Sequence, residues 1–296
     1  MRNNEANEPK NTVIVYGNCQ AEAVCVALQK DPLASKLLSI VYSSSFGHPG
    51  GMGAEVADED IADCVLLYEQ HDPQTFPYRD RLPESCYIVE FPAVDLNLLW
   101  PFNCVNPYNA PDPPVFPFGR FPYGDRVIVA AIDQDVPPDE ILDYYLNGWD
   151  QYKPDLDRLL ALESARLDAR DAPCDIKMAP YVKEHFRKQR LFWAINHPTN
   201  ALLEEIIERL LNECRINPTL ADADIASTLT TYFGTYGPLG AVSIPIHPRV
   251  AEHFSLKWYN PNDRFRSWDG ALYSYAEYFD AMIRESYAFK RASQPA

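Results

Sequence analysis

Val13-Ile14-Val15-Tyr16-Gly17-Asn18-Cys19-Gln20 is the stretch that decides the fold. An apolar run rich in β-branched residues ends in glycine, and an amphipathic segment, residues 21–30, follows at once. That pattern predicts a first strand, a tight turn and a helix with Cys19 at its N-terminus. Free N–H groups and the partial positive charge there favour an anion, so a thiolate or an oxyanion would be stabilised. A cysteine beside a strand end is also commonly a packing residue. The strand-Gly-Asn-Cys-Gln-helix context tips the reading toward function.

Working outward, strand patterns recur at residues 39–43, 64–68 and 87–91 after the first at 12–16, with helical patterns at 20–30 and, more weakly, 54–62. Such alternation predicts right-handed βαβ units and an α/β fold: a small, mainly parallel sheet surrounded by many helices. Ligands in such sheets sit beyond the C-terminal strand ends. Gly17, Asn18, Cys19 and Gln20 fall there, as do Gln70 and His71 after the third strand. Residues 92–123, rich in Pro and carrying Trp100, Phe102, Tyr108, Phe116 and Tyr123, read as a long aromatic loop, since proline interrupts any helix. The C-terminal half is helix-rich, with patterns at 138–147 and 156–170, a stripe of Leu202, Leu203, Ile206, Ile207, Leu210 and Leu211, and a last helix at about 272–286. Residues 190–196 look like another strand, and 241–246 form an apolar approach to His247. With no boundary marked, residues 12–289 read as a single composite domain between disordered ends, 1–11 and 290–296.

The chain has 296 residues and a net charge of −16, which argues against nucleic acid or an anionic membrane as the partner of the whole surface. Seven scattered cysteines form no Cys-x-x-Cys, so no metal site is expected. Residues 1–11 lack the apolar core of a signal peptide, and no run is long enough to span a membrane. A cytoplasmic protein with reduced thiols is the expectation.

Two of the six histidines share a context: Asn196-His197-Pro198-Thr199 and Ile246-His247-Pro248 each end an extended run and open a helix with proline at its first position. A histidine so placed is the natural general base, and a histidine capping its own turn is the bland alternative. Gln70, with Asn18 and Gln20, could donate to a developing oxyanion, and His71 is a third candidate imidazole. His48, His185 and His253 read as surface residues. The glycine-rich loop Gly47-His48-Pro49-Gly50-Gly51-Met52-Gly53 lacks a phosphate-loop signature. Lys183, Arg187, Lys188 and Arg190 are clustered cations in an acidic chain, suited to phosphates or to a solvated helix face. Arg120 and Arg126 flank Phe121-Pro122-Tyr123-Gly124, where an aromatic could stack a base beside a guanidinium.

The Gly17-Asn18-Cys19-Gln20 block, Leu99-Trp100-Pro101, Asn196-His197-Pro198 and Ile246-His247-Pro248 together resemble the WcbI-type acetyltransferases of polysaccharide biosynthesis. The resemblance spans about residues 12–259. It implies a helix-rich α/β fold, binding of coenzyme A or acetyl-CoA, and O-acetylation of a capsular or other surface sugar, with sugar, nucleotide-sugar or glycan acceptors and contact with polysaccharide-assembly enzymes. The layout also resembles SGNH-type hydrolases and acyltransferases, in which Gly-Asp-Ser follows the first strand. Cys19 stands where their serine does, and no recognisable Asp-x-x-His lies near the end. Acetyl transfer with Cys19, His197 and His247 as the catalytic set is the first expectation. An esterase or deacetylase of acylated glycans, and a non-catalytic sugar-binding protein, are the alternatives.

Overall fold

The computed structural model describes residues 11–45, 55–71, 74–109, 111, 118–214 and 216–293. The apolar opening run forms β1 (Asn11–Gly17), and α1 (Cys19–Lys30) begins after a single intervening residue. Val13, Ile14 and Val15 have no exposed surface, as a central parallel strand covered on both faces requires. β2 (Leu38–Ser44), β3 (Cys64–His71) and β4 (Tyr87–Pro92) complete a sheet of order β2-β1-β3-β4, with every pairing parallel. The expected α/β class is what the chain adopts. Connections leave β1 first toward β2 and later return to β3 on its other side. The order therefore reverses between β1 and β3, the position at which such sheets hold ligands.

By contacts the chain divides into two compact units that interleave in sequence. The first comprises Met1–Val94, Arg166–Val182 and Pro198–Leu239; the second comprises Asp95–Ala165, Lys183–His197 and Gly240–Ala296. Sequence suggested one composite domain because two of the boundaries fall inside helices, Leu156–Asp171 and Ala179–His185. A helix crossing a contact boundary changes neither composition nor periodicity.

In the first unit α1 buries Ala21, Ala23, Val24, Ala27 and Leu28, an apolar face in which three alanines let the helix lie close to its neighbours. The helix Asn200–Glu213 buries all six residues of the predicted stripe. Tyr68 of β3 donates its hydroxyl to Leu210 O at 2.9 Å, satisfying a carbonyl in the last turn of that helix.

In the second unit the helices Arg126–Asp133, Pro138–Asn147 and Tyr275–Ser293 share a core of Ile128, Ile132, Ile141, Tyr145, Phe279 and Ile283. The last helix runs past the expected end at 286 and as far as Ser293, into the stretch expected to be disordered from 290. Buried Lys290 explains this: its ammonium donates to Ile132 O at 2.6 Å and to the Asp135 carboxylate at 2.8 Å. The strand expected at 190–196 is confined to Phe192–Ala194, and 241–246 is not a strand, although the Ile244 N–H donates to Trp193 O at 2.8 Å. Among the described residues of the aromatic loop, Trp100 and Phe121 are buried. Trp100 is buried, with its indole N–H shared between Ile244 O and Pro245 O, so it is an anchor of the second unit. Phe116, His48 and the glycine-rich loop lie outside the described residues.

Candidate functional site

In the first unit the site is the turn from β1 into α1. A Cβ on Gly17 would stand 2.5 Å from Gln70 Cβ and 2.8 Å from Ala21 Cβ, so only glycine allows β1 and β3 to approach there. Asn18 is the N-cap of α1: its Oδ1 accepts the Gln20 N–H at 2.8 Å. The Asn18 N–H itself donates to Gln70 Oε1 at 2.9 Å. From β2, Tyr42 donates its hydroxyl to Gly17 O at 3.0 Å. The turn is thus tied to both strands that neighbour β1.

Cys19 is the first residue of α1 and is partly exposed. The sequence suggested a stabilised thiolate, and hydrogen bonds from the Cys19 and Gln20 N–H groups do act in that direction. Burial, with the nearby Glu22 carboxylate adding to it, outweighs them and pushes the thiol up to about 11. Cys19 is a neutral thiol at physiological pH.

Gln20 and Gln70 serve the turn and not a ligand. They are 2% and 0% exposed. Gln20 Nε2 donates to Val94 O at 2.6 Å, its Oε1 accepts from Val94 N at 3.0 Å, and Gln70 Nε2 donates to Gln20 Oε1 at 3.2 Å. The oxyanion role expected of these two amides gives way to bracing, because burying an amide obliges it to bond within the protein. His71 closes β3 and is exposed, and strand alternation turns it away from the face of Gln70.

In the second unit the two histidines differ sharply. His247 caps the helix Pro248–His253, its Nδ1 accepting the Arg249 N–H at 3.1 Å. Its Nε2 lies 3.3 Å from Tyr152 Oη, and Tyr152 donates its own proton to Tyr145 O. Trp149 stacks on the ring with centroids 4.2 Å apart. Both ring nitrogens of His247 are engaged, and burial, assisted by Arg249, lowers its pKa to about 4. The capping alternative holds for this residue.

His197 is not at a helix start, as the sequence suggested. It belongs to the short strand His197–Pro198, and the next helix begins at Asn200 behind Thr199. Its Nε2 lies 3.2 Å from Tyr123 Oη, and Tyr123 also donates to Asn196 Oδ1 at 3.0 Å. His197 Nδ1 is buried and has no hydrogen-bond partner among the described residues. Burial lowers its pKa to about 4, so the ring is neutral and keeps a lone pair.

The cations expected to hold phosphates are largely committed. Arg190 pairs with Asp263 and lies over Trp193 and Trp258; Lys188 pairs with Glu184 at 2.8 Å; Arg187 lies over Phe186. Lys183 sits one turn before them in Ala179–His185. Arg120 pairs with Glu285 at 2.8 Å. Arg126 is exposed and donates to Pro101 O, while Phe121 is buried edge-on against Tyr278, which leaves half-buried Tyr123 as the aromatic between these arginines with exposed surface. Sequence reading missed Tyr42 and Tyr152. Tyr42 carried one signal, its place opposite Val15 in the β1–β2 register. Tyr152, in an irregular helical segment, carried none.

A parallel sheet of order β2-β1-β3-β4 with a capped cysteine turn beside its reversal point defines the class: an α/β protein with a switch-point site. Residues 12–219 match the model of the family described as polysaccharide biosynthesis enzyme WcbI, and the chain belongs to that family. A solved structure of WcbI, described as a novel polysaccharide biosynthesis enzyme, in its native form without a disulfide bond between coenzyme A and one of its cysteines, shares the fold. The TM-score is 0.71 at 20% identity, covering 97% of this chain and 91% of that one. No curated protein matches the chain. No helix among the described residues is long and apolar enough to cross a membrane, and no described group of three or more His, Cys, Asp or Glu could hold a metal ion.

Proposed function

We propose that this protein is a coenzyme A-dependent O-acetyltransferase acting on a sugar hydroxyl in polysaccharide biosynthesis, with the thiol end of coenzyme A received at the Cys19 turn. The observation that carries the reading is Cys19 at the first position of α1, partly exposed, beside the reversal point of the sheet. The WcbI structure supports it in that coenzyme A and a cysteine are named together there, as a pair without a disulfide bond in that native form. A thiol raised to about 11 is ionised in only about one molecule in ten thousand at neutral pH, which favours direct transfer over an acyl-cysteine intermediate. In the direct route the acceptor hydroxyl attacks the thioester carbonyl, and a neutral imidazole takes its proton.

The test is incubation with acetyl-CoA and a panel of sugars and nucleotide sugars, following free thiol release and acetylated product. Release that depends on the acceptor is expected, with Cys19→Ala keeping measurable transfer. Release without any acceptor would make the protein a hydrolase. Loss of all turnover in Cys19→Ala with coenzyme A still bound would restore the acyl-cysteine route.

A further inference from the structure

Two cysteines away from the Cys19 turn meet where β3 and β4 begin. The β1–β3 register pairs Thr12 with Cys64 but Val13 with Leu66, so Val65 is an extra residue, a β-bulge. Regular alternation would put Cys64 on the face of Leu66. The bulge turns it to the face of Leu67, where it lies buried with Ile14 and Phe76. Ile88 of β4 stands opposite Leu67, and Cys86, two residues earlier, packs on the same cluster. The two sulfurs are 3.6 Å apart. A turn closed by the Cys86 N–H on Pro83 O at 2.9 Å sets Cys86 beside exposed Glu84 and Ser85. Cys86 is half-buried and Cys64 is buried. The thiols differ in chemistry as well as in access. Burial raises Cys19, Cys25, Cys104 and Cys174, whereas Cys86 is lowered because the Cys64 thiol donates to its thiolate. The same bond, together with burial, raises Cys64. A reachable nucleophilic sulfur in contact with a buried second thiol is the arrangement of an oxidation-sensitive pair.

We propose that Cys86 is an oxidation site for hydroperoxides and that Cys64 resolves it into a Cys64–Cys86 disulfide. The Cys86 sulfur gives up its proton and attacks the outer peroxide oxygen. An S–O bond forms, the O–O bond breaks, and the leaving oxygen takes that proton and departs as an alcohol, or as water from hydrogen peroxide. Cys86 is now a sulfenic acid, and the thiolate that held the Cys64 proton is gone. The Cys64 sulfur attacks that of Cys86, the S–S bond forms, the S–O bond breaks, and the hydroxide takes the Cys64 proton and leaves as water. The two thiols lose two electrons and two protons, and the peroxide gains them. A dithiol reductant restores both thiols by exchange. Closing from 3.6 Å to the roughly 2 Å of an S–S bond is within reach of side-chain rotation, with the strands in place. The bond closes a loop from the start of β3 to the start of β4 and so constrains the unfolded chain. Gln70, which braces the Cys19 turn, stands near the other end of β3, roughly 20 Å along the strand, so the staple is separate from that turn.

The test treats the full chain, reduced and freed of reductant, with hydrogen peroxide, blocks the remaining thiols and maps the peptides by mass spectrometry without reduction. The wild type is expected to lose two hydrogens and to yield a cross-linked peptide pair holding Cys64 and Cys86, with dithiothreitol restoring the starting mass. With dimedone present, Cys64→Ala is expected to carry the sulfenic-acid adduct at Cys86, since no second thiol resolves it. Cys86→Ala is expected to give neither an adduct nor a cross-link at Cys64. The oxidised wild type should melt several degrees above the reduced form. A peroxide-treated wild type in which Cys86 stays reduced, or runs on to sulfinic acid, with no cross-link to Cys64 overturns the proposal, and that reading depends on no variant. A dimedone adduct on Cys64 in Cys86→Ala overturns Cys86 as the site of attack. An oxidised Tm below the reduced one overturns closure with the strands in place.

Discussion

The Asn18 N–H donates to Gln70 Oε1 at 2.9 Å, joining the turn after β1 to the end of β3 through a side chain with no exposed surface. That bond makes the cysteine turn a product of the sheet. Asn18 caps α1 with its side chain and is itself held through its backbone, so the helix start and the reversal point are fixed together.

Breaking this brace is expected to cost stability as well as shape. Gln70→Leu leaves the Asn18 N–H without its acceptor and removes one of the hydrogen bonds to Gln20 Oε1, and urea denaturation should show a loss of about 1–3 kcal/mol. Asn18→Ala removes the cap and should cost about 1 kcal/mol. Equal stability of Gln70→Leu and wild type would contradict the brace.

Gly17→Ala tests the close approach separately. A Cβ 2.5 Å from Gln70 Cβ forces β1 and β3 apart, so the variant should melt well below the wild type or fail to fold. An unshifted Tm would show that the strands have slack at this point.

Thiol reactivity should run against the expectation that the helix start makes Cys19 the reactive cysteine. Cys86 is half-buried and lies 3.6 Å from Cys64 Sγ, whose hydrogen bond lowers its pKa, whereas Cys19 is raised to about 11. Timed alkylation at pH 8 with peptide mass spectrometry should label Cys86 before Cys19. Glu22→Gln removes a charge that raises the Cys19 pKa and should quicken its labelling severalfold. Faster labelling of Cys19 than of Cys86 would refute this order.

Acid should weaken the fold in a defined window. His197 and His247 are held near 4, below the ordinary imidazole value of about 6.5, so between those limits the unfolded chain binds protons that the folded one does not. Their contribution is complete above that window and is lost as pH falls through it. Asp125, raised by burial to about 6 from 3.8, has the opposite sign, since the folded form takes its proton first. Between pH 6 and 4 two histidines oppose one aspartate. Stability should therefore fall by one proton's worth, about 1.4 kcal/mol per pH unit, and His197→Gln should flatten that slope. A denaturation free energy independent of pH across this range would contradict the burial of both rings.

Much of the sheet was legible because each strand is a short apolar run bounded by turn residues, and the stripe from Leu202 to Leu211 was legible because helical periodicity survives any packing partner. Cys19 at the start of α1 was legible for the same local reason. The roles of Gln20 and Gln70 were not. Whether a buried amide faces a ligand or the loop at Val94 depends on residues some seventy positions away. The two histidine-proline pairs look alike in sequence, and only long-range partners, Tyr152 for one and Tyr123 for the other, separate a cap from an open nitrogen.

The central claim is that coenzyme A is received at the Cys19 turn, and footprinting tests it most directly. Alkylation of the wild type is timed with and without saturating coenzyme A while Tm is followed in parallel. The account predicts a raised Tm, slowed labelling of Cys19 and an unchanged rate at Cys86. Unchanged labelling of Cys19 at saturating coenzyme A, with or without a rise in Tm, would contradict it.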